Sequence, residues 1–405
     1  MKLSNTFWRL WLSTASSNLS DGIGKTAFPL LAAAITRDPV QVSLLTTAFF
    51  LPWLLFALPS GAVVDRVDRS RAMAIANAVR AVIVGVLAVS VITGWASMPL
   101  LYLAAFSLGA AETISDSAYR AVLPALVARE DLDRGNGYLQ GTELVADAFL
   151  GAPIASASFA LAAGSPFVMG AAGFALSAVV AGTLPPTAPD RGADAKTGLG
   201  AIRGEIAAGV RWLAAHPTLR WIMVMGAAMG LVGAGYNSIA VLYALDVLGV
   251  PTGLFGVLIL TLAVGGVIGS VTATTVSRRL GRGRALQLAV FVGALAFLGL
   301  GTVRDAALAG VLLAISSWSV IVWNVLTMSL RQQLIPEAMF GRVQGAWRTA
   351  VWGAMPLGAA LGGVVAGTFG LAAPFTLAGL GHIVVLVLGW RLLARAGRAT
   401  TEAAA

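Results

Sequence analysis

Long apolar runs separated by short, mostly basic segments recur along the whole chain. Hydrocarbon offers a backbone no hydrogen-bond partner, so a segment that crosses a bilayer must satisfy itself as a helix, and about 20 apolar residues are needed to do so. The pattern predicts twelve such spans, near 7–34, 40–64, 72–93, 98–122, 138–163, 165–184, 218–246, 252–276, 285–303, 306–331, 344–368 and 371–391. The first is unorthodox, because its middle, Ser16-Ser17-Asn18-Leu19-Ser20-Asp21-Gly22-Ile23-Gly24-Lys25, is polar. It is kept because it completes six spans on either side of a central linker, 185–217. That linker opens with the helix-breaking run Pro185-Pro186-Thr187-Ala188-Pro189. An amphipathic segment follows, Leu199 to Ala215, with Ile202, Ile206, Val210 and Leu213 on one face; such a segment is expected to lie on the cytoplasmic membrane interface. The fold class read from this pattern is an all-α membrane protein of twelve transmembrane helices in two pseudo-symmetric six-helix bundles, 1–184 and 218–405.

The two bundles repeat one another. After span 2 comes Arg66-Val67-Asp68-Arg69-Ser70-Arg71-Ala72, and after span 8 comes Arg279-Leu280-Gly281-Arg282-Gly283-Arg284-Ala285. The ends of spans 4 and 10 correspond in the same way, Arg120-Ala121-Val122-Leu123-Pro124 against Arg331-Gln332-Gln333-Leu334-Ile335-Pro336. One short basic match is unremarkable; two at nearly the same offset and the same topological place point to a duplicated six-helix unit.

Composition agrees with the pattern. The chain is 58% hydrophobic and 11% charged, with a mean hydropathy of +0.85, whereas soluble domains carry about a quarter charged residues. A net charge of +9 raises nucleic acid as a partner, but the basic residues sit between apolar runs and form no soluble basic domain. With the N-terminus in the cytoplasm, 22 of the 27 Lys and Arg fall on the inner side and only Arg37 and Arg304 outside. That bias predicts a cell inner-membrane protein, multi-pass, with both termini cytoplasmic. No cleavable leader is expected, since the first apolar stretch reads on into the protein. With no Cys and only His216 and His382, disulfide and Cys-metal chemistry are excluded and a histidine metal site is disfavoured. Neither a nucleophile elbow nor a phosphate loop is evident, which argues against a membrane-embedded enzyme.

With these residues in view, the chain resembles the major facilitator superfamily along essentially its whole length. Gly61, Asp65, Arg66, Arg69 and Arg71 match the family pattern Gly-x-x-x-Asp-Arg-x-x-Arg-x-Arg, with Asp68 where a Gly usually stands. Glu112-Thr113-Ile114-Ser115-Asp116, Asn324 to Gln332, Gly341-Arg342-Val343 and Pro356 to Gly363 resemble the branch that contains enterobactin and macrolide exporters. The resemblance implies alternating access, with the halves rocking about a midplane site. It also implies that Gly61 lets span 2 approach span 11, that Asp65 meets the positive end of span 11, and that Arg66, Arg69 and Arg71 bind cytoplasmic carboxylates or anionic lipid. If the arginines served topology alone, Asp65 would be unexplained. The chain also departs from the drug exporters of the superfamily: span 4 reads Phe106-Ser107-Leu108-Gly109-Ala110-Ala111-Glu112 and lacks their mid-span Arg. The exporters' Gly/Pro pattern in span 5 is only partly present, as Gly141 and Gly151-Ala152-Pro153.

Five carboxylates fall within spans: Asp21, Glu112, Asp116, Glu143 and Asp147, all in the first half. A charge at bilayer depth costs at least about 2.5–3.5 kcal/mol, so these groups must face the bundle interior, pair with cations or carry protons. Glu112, Asp116 and Arg120 follow one another at helical spacing on span 4, as Glu143 and Asp147 do on span 5. The helix rise puts Glu112 and Asp147 near one level, with Asp116 and Glu143 nearer the cytoplasm. Lys25, Arg80, Arg120 and Arg348 are the available cations. Two readings stay open. Removal from water favours the neutral carboxyl and an adjacent Arg the ionised one, so some of these groups could carry a coupling proton, Asp21, Glu112 and Asp147 foremost. Otherwise the set is a fixed ion-pair network, as favoured for Asp116 with Arg120.

The second half offers uncharged polar and aromatic groups: Tyr236 and Asn237 in span 7, Trp318, Trp323 and Asn324 in span 10, and Trp347 and Trp352 beside Arg348 in span 11. They suit a bulky amphipathic ligand, or alternatively anchor and pack the helices. The function expected is proton-coupled efflux of a hydrophobic or amphipathic small molecule such as a drug, macrolide or siderophore; a nutrient importer or uniporter of the same fold is the alternative. The expected partners are that substrate, protons and membrane lipids. No cofactor is expected beyond the proton gradient, and a single chain is taken as the working unit.

Overall fold

A computed structural model describes residues 3–64, 67–127, 131–187 and 199–396. Within these residues the chain is helical throughout, as its apolar spacing requires. The long helices are α1 (Asn5–Ile35), α2 (Pro39–Val64), α3 (Arg69–Ile92), α4 (Met98–Leu126), α5 (Leu132–Leu161) and α6 (Ser165–Gly182). The linker helix α7 (Leu199–Ala215) follows. Then come α8 (Pro217–Ser238, with short continuations to Val247), α9 (Thr252–Leu280), α10 (Arg282–Leu300), α11 (Ala306–Leu334), α12 (Glu337–Phe369) and α13 (Ala373–Ala396). Eleven of the described helices are long and apolar enough to cross a membrane. The twelfth span is α1, which is 31 residues long and polar in its middle, as the sequence predicted. The protein is thus a multi-pass membrane protein of twelve spans.

Local chemistry sets the helix ends. Ser4 accepts a hydrogen bond from the Phe7 N–H at 3.1 Å, and Asp305 accepts one from the Leu308 N–H at 2.8 Å. Asp68 caps α3, accepting from the N–H groups of Ser70 at 3.0 Å and Arg71 at 3.2 Å. The departure from the family pattern at position 68 therefore supplies a helix cap. One residue separates α9 from α10, and it is Gly281 at φ 80°, where a side chain would be strained.

The chain divides into two compact units: Met1–Arg37, Leu44–Ala195 and Pro251–Leu260 in the first, and Asp38–Ser43, Lys196–Val250 and Thr261–Ala405 in the second. Their internal packing repeats. In the first unit α1 and α3 pack on α6 and α1 also packs on α5; in the second α8 and α10 pack on α13 and α8 also packs on α12. The first unit's core includes Phe7, Leu10, Met73, Val122 and Leu139; the second's includes Leu219, Ile222, Leu286, Val322, Trp323 and Leu330.

Two elements carry detail that the sequence left open. The amphipathic linker helix packs against α12 of the second unit, with Leu213 only 2% exposed inside that unit's core. Gly209 permits the approach, because a Cβ there would meet the backbone of Arg342 and Val343. Helix α5 is interrupted by a π-helical stretch, Leu144–Gly151.

Candidate functional site

The first unit encloses a polar cavity of about 80 Å³. All five in-span carboxylates line it: Asp21 from α1, Glu112 and Asp116 from α4, Glu143 and Asp147 from α5. Lys25 and Arg80 line it too, with hydroxyls from Ser13, Ser17, Ser115 and Ser177, the amides of Asn18 and Asn77, and Tyr119. A water takes about 30 Å³ of liquid volume, whereas sites for drug-sized ligands run to about 300–1,000 Å³. This cavity is therefore of a size for protons and a little water, and too small for a whole bulky cargo.

Arg80 on α3 is its anchored cation. The guanidinium forms an ion pair with Asp21 and donates to Ser17 Oγ at 3.0 Å and to Asn77 Oδ1 at 3.3 Å. The Phe174 ring of α6 lies beneath it, 4.1 Å from Cζ to the centroid. One carboxylate, two neutral acceptors and a ring face thus stand in for the water that Arg80 gave up. Lys25, one turn along α1 from Asp21, pairs with Asp147 at 2.6 Å. Glu112 differs from both aspartates: its Oε2 is buried with no hydrogen-bond partner among the described residues.

Backbone contact positions Asp147. A Cβ on Gly22 would stand 2.5 Å from the Asp147 carbonyl oxygen, and a Cβ on Gly151 would stand 2.5 Å from Gly22 Cα. The two glycines let α1 and the π-helical stretch of α5 touch along their main chains. A π turn adds a residue to the helical circuit and is common at functional sites. Trp11 Nε1 reinforces the contact, donating to Thr142 Oγ1 at 2.7 Å.

The other predicted residues are placed as follows. Asp65 and Arg66 lie outside the described residues, as does the side chain of Arg120. Gly61 is in the last turn of α2, while Arg69 and Arg71 open α3, with Arg71 exposed and 4.0 Å from Asp68. In the second unit, Tyr236 packs on Phe297 and Phe375 with ring centroids 4.7 and 5.3 Å away. Asn237, Asn324 and Arg348 are exposed, and Arg348 Cζ sits 4.8 Å over the Trp352 ring. Sequence reasoning listed Lys25 and Arg80 only as available cations; here they are integral to the cavity. It missed Ser17, Asn77 and Phe174, whose types carry no signal until α1, α3 and α6 are packed. It also missed Arg331, a buried cation in the second unit. Arg331 lies 4.3 Å over Trp347 and donates to Gln344 Oε1 at 2.7 Å and to the Thr327 carbonyl at 3.3 Å. Among the described residues no group of three His, Asp or Glu is placed to hold a metal ion.

Known proteins of similar sequence and fold are carriers. A family model described as transmembrane secretion effector matches residues 3–405. The enterobactin exporter EntS of Escherichia coli O1:K1 is 24% identical over 398 residues, covering 96% of this chain and 92% of that protein. Its namesake in Salmonella typhimurium is 25% identical over 404 residues, with coverage of 96% and 94%. Among solved structures, a bacterial homologue of the iron transporter ferroportin, in an inward-facing state, superposes with a TM-score of 0.77 at 16% identity, covering 98% of this chain and 100% of that one.

Proposed function

Because this chain belongs to the transmembrane secretion effector family, within the major facilitator superfamily, we propose that it is a proton-coupled exporter of a bulky amphipathic small molecule, with siderophores as the first class to test. It works in the inner membrane with both termini cytoplasmic, and the proton gradient drives it. The observation that carries the proton half of this reading is the first-unit cavity, where five carboxylates meet two cations in a space of about 80 Å³ between long helices of that unit. Such a site has charge to trade and no room for cargo. A carboxyl there can take a proton when open to one side of the membrane and lose it when open to the other, since each change of charge alters which ion pairs are satisfied. The siderophore class is suggested by the relatives, which are named as enterobactin exporters. Tyr236, Asn237, Asn324 and the Arg348–Trp352 pair supply the aromatic and polar surface such a cargo needs.

The test is flux into everted membrane vesicles containing the chain, with enterobactin, a macrolide and a lipophilic dye as probes. Export appears as uptake of one of these that collapses when a protonophore is added. Uptake indifferent to the protonophore argues for a uniporter, and flux only in the opposite sense argues for an importer. Asp21→Asn, Glu112→Gln and Asp147→Asn each reduce gradient-driven uptake at least about tenfold, the equivalent of 1.4 kcal/mol; full activity in all three would rule out these carboxyls as carriers.

A further inference from the structure

The two cations of the first-unit cavity are held in opposite ways. The Arg80 side chain is 3% exposed and fixed from four directions, by Asp21, Ser17, Asn77 and Phe174. The Lys25 side chain is 48% exposed, and among the described residues its one hydrogen-bonded contact is the ion pair with Asp147. Its ammonium is a compact charge on a four-carbon stem that can swing without moving α1. A carboxyl without a counter-ion of its own lines the same cavity: Glu112, whose Oε2 is buried and unpartnered among the described residues. An ionised carboxylate in that state is costly, whereas a neutral one is tolerated. The charged groups around Glu112 are Asp21 and Lys25 from α1, Arg80 from α3, Asp116 one turn along α4, and Glu143 and Asp147 from α5.

We propose that Lys25 is a moving cation shared between Asp147 and Glu112. While Glu112 holds a proton it needs no counter-ion, and Lys25 remains on Asp147. When the Glu112 O–H bond breaks and the proton passes through cavity water and out of the cavity, the new carboxylate draws Lys25 across. Asp147 is then left without its cation, and the charge of the cavity has fallen by one. Arg80 cannot perform this exchange because its other contacts hold it. Asp147 sits in the π-helical stretch that touches Gly22, so loss of its cation is felt directly at the contact between α1 and α5. Lys25 would thereby convert a proton on one helix into a change of packing between two others. The idea rests on the proton-coupled reading, but its test requires no cargo and so stands or falls separately.

The chain has three lysines, Lys2, Lys25 and Lys196. Reductive methylation with labelled formaldehyde gives each a dimethyl-lysine carbon signal, and Lys25→Met assigns the Lys25 signal by its disappearance. In purified protein in nanodiscs, the Lys25 signal is expected to move with pH at the same midpoint as the infrared carbonyl stretch of a neutral carboxyl. Glu112→Gln abolishes both titrations, and Glu112→Asp, which keeps the acid, retains them. A Lys25 signal that does not change with pH, or that titrates in Glu112→Gln as in the parent, overturns the proposal. Either result leaves protonophore-sensitive export standing, just as transport that ignores the protonophore would sink the export reading without altering the lysine titration.

Discussion

Among the described residues each unit buries one arginine, and the two are solvated differently. Arg80, 2% exposed, is neutralised by the carboxylate of Asp21. Arg331, 8% exposed, has no carboxylate at ion-pair distance among the described residues; Gln344, the Thr327 carbonyl and the face of Trp347 surround it. Both arrangements give a guanidinium hydrogen-bond acceptors and an aromatic face, although Arg80 Nε has no partner among the described residues; only the first contains a group that can change its charge. A carboxylate can gain a proton and release its partner, whereas an amide, a backbone carbonyl and an indole ring cannot. The proposed proton coupling in the first unit rests on this contrast, the second unit having a fixed cation beside aromatic surface.

The largest effect that can break this comparison comes from Arg80→Met. Removing one partner of a buried ion pair strands the other, at about 3–5 kcal/mol. Among the described residues no second cation is bonded to Asp21, so the loss is expected near the top of that range, read as a fall in thermal midpoint of the detergent-solubilised protein. The double variant Arg80→Met with Asp21→Asn removes the stranded charge and recovers most of the stability. If Arg80→Met is no worse than the matching change at Arg331, the distinction between the two sites is wrong.

Next in size is the backbone contact that holds Asp147 to α1. In Gly22→Ala the new methyl would lie 2.5 Å from the Asp147 carbonyl oxygen, so α1 and α5 must separate, at about 1–3 kcal/mol. The second unit has a counterpart in Gly235, where a Cβ would lie 3.1 Å from the Gly358 carbonyl oxygen. Both substitutions are expected to lower the thermal midpoint, but only Gly22→Ala disturbs the Lys25–Asp147 pair and so shifts the pH dependence of transport. Equal shifts from both would mean that pH acts on packing in general.

Most of the fold was legible in the sequence, because a span is declared by its own apolar length and a basic loop by its own charge. The repeat was legible for the same reason, and it reappears as α1 and α3 on α6 and as α8 and α10 on α13. What escaped was anything a neighbouring element decides. The apolar stripe of α7 did not disclose that Leu213 would enter the second unit's core while Val210 stays exposed. The π-helical stretch at Leu144–Gly151 coincides with the touching backbone of Gly22, a contact no local propensity encodes. In the cavity, the carboxylates announced themselves by being charged at membrane depth. Ser17, Asn77 and Phe174 did not, since a serine, an asparagine and a phenylalanine are each unexceptional until they converge on Arg80.

A smaller effect is expected at Arg331. Arg331→Met loses the hydrogen bonds to Gln344 and the Thr327 carbonyl and the stacking on Trp347, while the new methionine fills part of the space; no charge among the described residues is stranded. The cost is about 1–2 kcal/mol, because relief of the buried charge's desolvation offsets part of the two charge-assisted hydrogen bonds and the cation–π contact. Measured in the same detergent as Arg80→Met, the two values give the worth of a stranded carboxylate by difference. Transport by Arg331→Met should fall in proportion to folded protein and keep its pH dependence.

The smallest effect tests what the second unit contributes. Asn324 is exposed on α11 in the stretch that resembles the exporter branch, and among the described residues no hydrogen bond from its side chain holds the fold. Asn324→Ala is therefore expected to leave the thermal midpoint unchanged. If Asn324 meets cargo, the variant loses about one hydrogen bond to it, which is 0.5–1.5 kcal/mol or a rise of about two- to tenfold in half-saturating probe concentration. The pH at which transport is half-maximal should not move, because no titrating group of the first-unit cavity has been touched. That split matters more than its size: affinity altered with pH dependence intact is the pattern expected of a unit that holds cargo while the other holds protons. A shift in pH dependence with unchanged affinity would place Asn324 among the proton-handling groups and remove the division of labour that Arg80 and Arg331 suggest.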